Sequence, residues 1–425
     1  MKRQTAGRGT TPKNPRTSPR GAHTVQVSTP QTKSPGWTEW LKQEAVAATF
    51  MLEPSLCVDR AAIIRFHGRR LGVDRRMEQR DRFVNDEVVE DIVPGSGPIS
   101  VTTRVYDVNP GEWAVTAELL APSDIDRGRK GDRRTPPTRS LAPAVWSWRK
   151  WSLSPGPETP VETCPAPLAK IGRAPGMIPG IWGAMVGLGV VLAVALTALI
   201  LAHDHRSVGR LLIVALLAVL AGAIGAKAWY VLQSPQHRFD GWCIQGFVAG
   251  LVLGAVPSFA LQGLPIGVSL DAAAPGLFLA MAVGRVGCFF AGCCVGRPTA
   301  SRWGLWSSDQ RVGVRRIPTQ LLESALTLAI GVALLIVVLT HHPAIPGALL
   351  ATGLAAYTLG RQGLLLLRVE RRRSAFRSSV VAVVAAVVLV TGVLALTVSS
   401  RPISAAGSGE VVQSGQVAPS SQLPL

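Results

Sequence analysis

Acidic residues are scarce in this chain, and scarcest where apolar residues are densest. Of 425 residues, 26 are Asp or Glu against 44 Lys or Arg, a formal excess of +18. Residues 177–425 hold only 7 acidic and 17 basic residues. Cysteine is sparse too: Cys57, Cys164, Cys243, Cys288, Cys293 and Cys294 are the six. They form no CxxC pair and no His–Cys ligand spacing, so neither a disulfide framework nor a metal site is expected. The first 30 residues lack the apolar core of a secretory signal. Residues 1–176 lack any apolar run of membrane length and carry 27 basic and 19 acidic residues. The positive excess is therefore spread over loops and ends, and no single stripe that would grip nucleic acid is present.

What is present is a series of long apolar segments. They fall near 178–202, 211–232, 243–262, 274–292, 319–340, 345–367 and 379–398, each long enough to cross a bilayer. Pro275 lies just inside the fourth, a favourable first-turn place. Seven such runs are too many to hide in the core of a chain this size. The expectation is a mainly α, polytopic transmembrane bundle of about seven spans over 177–400, with no cofactor.

The N-terminal part reads differently. Residues 1–44 form a basic tail rich in Pro, Ser and Thr, of disordered composition. In 45–122, Ile99, Val101, Thr103 and Val105 alternate, Asn109-Pro110-Gly111 turns, and Trp113, Val115, Ala117 and Leu119 alternate again. That pattern predicts a hairpin. With runs at 61–66 and 83–93 it predicts a small β-sandwich-like extramembrane domain. Residues 123–176 read as a Pro/Arg-rich linker with an interfacial patch at Trp146, Trp148 and Trp151, and 401–425 as a disordered tail. Arginines crowd the loops on the face that bears the N-terminus, which by charge alone places that face in the cytoplasm.

Ionisable side chains inside apolar spans carry the functional signal. An arginine there costs about 2.5–3.5 kcal/mol on insertion scales, so each one needs a reason. Arg285 lies deep in the fourth segment, within GRVGCFFAGCCVGRPTASRWG (284–304). Arg316 opens RIPTQLLE (316–323), at the head of the fifth. The guanidinium fork suits bidentate phosphate binding, so this pair reads as a clamp for an anionic lipid headgroup. Gly284, Gly287 and Gly296 would let backbone approach the headgroup closely. Glu323 can neutralise one arginine, while Lys227 and Arg361 either snorkel or join the site.

At these blocks the chain resembles the prolipoprotein diacylglyceryl transferases, integral membrane enzymes of bacteria. The resemblance covers about 180–400 and none of 1–170. GIWGAMVGLG (180–189) is similar to the family's first span, and GAKAWYVL (225–232) to a block with arginine at the place of Lys227. Gly284, Arg285, Gly287 and Gly296 match the glycine–arginine signature. Arg316, Pro318, Gln320, Leu321 and Glu323 match a second block, and YTLGRQGLLLLRVERRR (357–373) a third. The resemblance implies a multi-pass protein of the bacterial inner membrane. Its implied reaction moves a diacylglyceryl group from phosphatidylglycerol to the lipobox cysteine of a prolipoprotein, and glycerol phosphate leaves. Arg285 and Arg316 would be catalytic, with Gly284, Gly287, Gly296, Gln320, Glu323 and Arg361 on the substrates and membrane lipid around them. The chain departs from the family at Gln245, where a histidine is usual, and at Cys288 and Cys293, where asparagine and an acid are usual. Glu323 and His237 are the candidate replacement bases. Two alternatives follow from these departures: a non-catalytic phospholipid-headgroup binder on the same scaffold, or a membrane thiol oxidoreductase using Cys288, Cys293 and Cys294.

Overall fold

The computed structural model describes residues 42–56, 60–73, 77–120, 139–171, 174–205, 207–233, 243–342, 345–369, 375–399 and 401–402. Most of both expected tails, together with Cys57 and His237, lies outside them. The chain divides into two compact units, residues 1–175 with 311–314, and residues 176–310 with 315–425.

The first unit is built on β-strands. One sheet centres on β1 (Glu44–Leu52) and β4 (Ile99–Val108), antiparallel over their whole lengths. The β1 residues Phe50 and Met51 also pair with Pro143 and Ala142, at the start of a hairpin. The second sheet runs β3 (Arg82–Val89), β2 (Ala62–Arg70), β5 (Glu112–Leu120) and β6 (Arg139–Ser140). Phe50, Leu52, Ile99 and Val101 from the first sheet share one buried core with Ile64, Phe66 and Ala117 from the second. Two sheets closed over a common apolar layer form a small sandwich.

The hairpin expected across Asn109-Pro110-Gly111 does not form. β4 pairs with β1, and β5 pairs with β2, so the turn carries the chain from one sheet to the other. Alternation sets which side chains face inward but is silent about the neighbouring strand. Trp113 is fully buried just after the turn, where its indole N–H donates to the Asn109 carbonyl at 3.2 Å. The expected linker also carries structure: β7 (Ala142–Ser147) and β8 (Ser152–Pro155) pair as a hairpin, and Leu141 and Leu153 are buried.

The second unit is helical: α1 (Ile181–His203), α2 (Val208–Gln233), α3 (Ile244–Leu261), α4 (Ile266–Ala291), α5 (Thr319–Thr340), α6 (Ala348–Leu364) and α7 (Ala375–Ser399). Among the described residues, five stretches are long and apolar enough to cross a membrane: α1, α2, α4, α5 and Ser379–Thr397 of α7. The other two segments of the expected seven are shorter. Gly246–Leu261 is a short apolar helix, and α6 has 17 residues. Helices α2 and α3 cross at van der Waals contact of backbone. A Cβ on Gly225 would lie 2.4 Å from the Gly246 carbonyl oxygen, and one on Gly250 2.3 Å from that of Ala221. Small residues at such crossings are how apolar helices gain contact where water cannot drive association.

Helix α4 starts eight residues before the expected 274. Pro265 is its N-cap, so Pro275 falls inside it and leaves the Asp271 carbonyl without its helical donor. The carboxylate of Asp271, 4% exposed, works elsewhere. It accepts the backbone N–H groups of Gly347, Leu349 and Leu350 at 2.7, 2.9 and 3.1 Å. Gly347 has no side chain to cap α6, so a carboxylate from another helix satisfies its orphan donors. Asp271→Ala is expected to lower stability by about 1–3 kcal/mol, the desolvation cost of donors left buried and unpaired. Asp271→Asn, which keeps one acceptor, should fall between. Unfolding of the purified protein in detergent checks both.

Candidate functional site

The C-terminal end of α4, the first turns of α5 and the last turns of α6 converge on one carboxylate. Glu323 lies one turn into α5 and is fully buried. Its Oε1 sits 2.7 Å from Arg285 Nη2 of α4 and 2.6 Å from Arg361 Nη1 of α6, and accepts the Tyr357 hydroxyl at 2.7 Å. Its Oε2 accepts from Arg368 Nη2. Tyr357 and Arg361 are four apart on one helix, hence on one face, and Arg361 also donates to the Tyr357 oxygen at 2.9 Å. Past α6, a tight turn over Leu365–Leu367 returns the chain so that Arg368, 2% exposed, points into the site.

The electrostatic balance is uneven. Among the described residues, three guanidiniums share the single carboxylate of Glu323, so cations outnumber carboxylates in the cluster. Burial makes that excess expensive and makes an anion welcome. The side chains of Arg285 and Arg361 remain 17% and 34% exposed, against 0% for Glu323. Those two can therefore turn unused donors toward a ligand while Glu323 and Tyr357 hold them in place.

Arg285 and Arg316, expected as one clamp, are engaged by different carboxylates. Arg316, 4% exposed, pairs with Asp309 at 2.8 Å and donates to the Gly296 carbonyl at 3.4 Å. The segment 296–299 ties the arginine-bearing strands together. Arg297 N–H donates to the Leu367 carbonyl, Arg297 Nε to the Arg368 carbonyl, and Ile317 N–H to the Arg297 carbonyl. Gln320 Nε2 holds the Cys293 carbonyl at 2.9 Å, which leaves its own Oε1 buried without a partner among the described residues.

The three glycines separate. A Cβ on Gly284 would meet open space, as an approach to ligand requires. One on Gly287 would press on Met185 of α1 at 2.8 Å, and one on Gly296 on the Ile317 carbonyl at 2.1 Å. These two serve packing of the chain on itself. Lys227 lies with its ammonium 5.9 Å from the Tyr230 ring centroid. The Gln245 side chain lies outside the described residues.

The thiols adjoin the same cluster. Arg285 Nη1 reaches Cys294 Sγ at 3.9 Å, and Cys293 Sγ donates to the Cys288 carbonyl at 3.7 Å. Cys294 is held below the ordinary thiol range by the neighbouring Cys288 and Cys293 thiols, then by the Arg368 and Arg285 guanidiniums. Cys293 is pushed up, chiefly by its hydrogen bond with Cys288. Alkylation of Cys294 by iodoacetamide, followed by peptide mass spectrometry, should therefore persist below the pKa of about 8.5 of a free thiol. Its pH midpoint should rise in Arg285→Ala. Among the described residues, no group of three His, Cys, Asp or Glu is arranged to hold a metal.

Tyr357, Arg368 and Asp309 were not singled out as site residues by sequence reasoning. The i, i+4 spacing of Tyr357 and Arg361 was a usable signal. Arg368 reads as one more loop arginine until the turn after α6 is known.

A family model described as prolipoprotein diacylglyceryl transferase matches residues 178–398. Among curated proteins, the chain is similar to the phosphatidylglycerol–prolipoprotein diacylglyceryl transferase of Frankia alni, 32% identical over 241 residues. That alignment covers 52% of this chain and 63% of the relative. It is also similar to transferase 2 of Clostridium perfringens, 32% over 168 residues, covering 36% of this chain and 66% of the relative. The corresponding figures for transferase 2 of Streptomyces coelicolor are 32% over 177 residues, 37% and 56%. The chain thus spans less than two thirds of the length of each.

Proposed function

We propose that this chain, which belongs to the prolipoprotein diacylglyceryl transferase family, transfers a diacylglyceryl group from phosphatidylglycerol to the cysteine thiol of a prolipoprotein. The observation that carries the proposal is the convergence of Arg285, Arg361 and Arg368 on the single buried carboxylate of Glu323. An excess of guanidinium over carboxylate, next to lipid, fits the phosphate of a headgroup. In the reaction the acceptor sulfur attacks the glyceryl carbon, the bond from that carbon to the phosphate oxygen breaks, and glycerol phosphate leaves with the electron pair and takes up the proton that the thiol gives up. Charge grows on the departing phosphate. Arg285 and Arg361, preorganised by Glu323 and Tyr357, stabilise it where it forms. The buried Gln320 Oε1 can accept a hydrogen bond from a headgroup hydroxyl. Arg316, paired with Asp309, holds the loop that frames the site.

The domain reading belongs to the same proposal: 177–400 is the transferase part, a bundle of seven spans in the bacterial inner membrane completed by α3 and α6. The second reading, a headgroup binder without transfer, is favoured by Gln245, Cys288 and Cys293 at the family's histidine, asparagine and acid positions. Expression in cells depleted of their own transferase separates the two. Restored lipoprotein lipidation supports transfer. An inserted protein that binds phosphatidylglycerol yet restores nothing leaves only the binder.

A further inference from the structure

The tip of the β7–β8 hairpin is unlike the rest of the first unit. Trp146, Trp148 and Trp151 stack edge to face around it, with ring centroids 5.9, 5.2 and 5.7 Å apart. Between them Arg149 and Lys150 are exposed. Trp148 is 49% and Val145 47% exposed. Residues 139–157 contain Arg139, Arg149 and Lys150 and no acidic residue at all. Trp151 holds a left-handed backbone, φ 48°, a conformation that a bulky residue adopts only where the surrounding structure compels it. Nothing in the proposed transfer uses this cluster.

We propose that this hairpin tip is a lipid-surface contact that seats its tryptophans at the headgroup level of an anionic bilayer. Indole rings partition to that depth because they are apolar in body and polar at the N–H. Arg149 and Lys150 supply attraction to anionic headgroups, which acts within a Debye length. In sequence, only residues 176–180 lie between this unit and α1. The inference rests on α1 crossing a bilayer, which co-elution of the full chain with nanodiscs tests on its own.

The experiment is hydrogen–deuterium exchange of peptides covering 142–155 in the full chain. Nanodiscs containing phosphatidylglycerol are compared with nanodiscs of phosphatidylcholine alone. Exchange at the tip is expected to slow by up to roughly thirtyfold in the anionic discs, the scale two basic residues near an anionic leaflet can supply. The double substitution R149E/K150E changes only exposed side chains and should return the rate to the phosphatidylcholine value. Equal rates in the two lipids overturn the proposal. So does slowing that R149E/K150E leaves intact.

Discussion

Replacing Glu323 by Gln is expected to destabilise the helical unit by about 3–5 kcal/mol, the range found when one partner of a buried ion pair is removed. The carboxylate is fully buried and receives Arg285, Arg361, Arg368 and Tyr357. With an amide in its place, three guanidiniums face one another with no counter-charge. The loss should appear as a lower midpoint for unfolding in mixed SDS micelles. A companion substitution sharpens the test. Arg368 is 2% exposed, so E323Q/R368M removes one of the stranded charges together with its partner and should recover part of the stability. If E323Q unfolds where the wild type does, the carboxylate is not what holds the cluster together.

The second large effect concerns rate. Arg285→Ala removes the donor that the proposed mechanism directs at the phosphate, while Glu323 keeps Arg361 and Arg368. Transfer is expected to fall about 10²–10³-fold, the usual consequence of losing one preorganised donor to a developing anion. Stability should change far less than in E323Q. Arg285→Lys should recover only part of the rate, since an ammonium lacks the fork that holds carboxylate and phosphate together. The readout is the initial rate of transfer to a cysteine-bearing lipobox peptide, resolved into kcat and KM. A drop in kcat at little-changed KM places Arg285 on the transition state, and a rise in KM alone would confine it to binding.

The sequence made parts of this architecture legible for physical reasons that can be named. Apolar runs of bilayer length exposed the helices, because an uninterrupted apolar run of about twenty residues matches the thickness of a bilayer core. Arg285 stood out because a charge inside such a run is costly, and Glu323 because acid is so rare there. Long-range placement was not legible. Arg316 looks equivalent to Arg285 in sequence, yet pairs with Asp309. Arg368 looks like a loop cation, yet the turn at Leu365–Leu367 buries it. Pro275 resembled a helix start, whereas Pro265 was the true one. In the β unit, alternation placed Ile99 and Val101 of β4 and Ala117 of β5 in the core but missed that Ser100 and Thr102 are buried as well. It also gave the pairing wrongly. Side-chain periodicity is a property of one strand, and register is a property of two.

The most direct test of the central claim is product analysis. The full chain is reconstituted with phosphatidylglycerol and a lipobox peptide, and both thioether-linked diacylglyceryl peptide and released glycerol phosphate are quantified. The account predicts the two products in equal amounts, both formed about 10²–10³-fold more slowly by Arg285→Ala. Inserted wild-type protein that binds phosphatidylglycerol but yields neither product would contradict it.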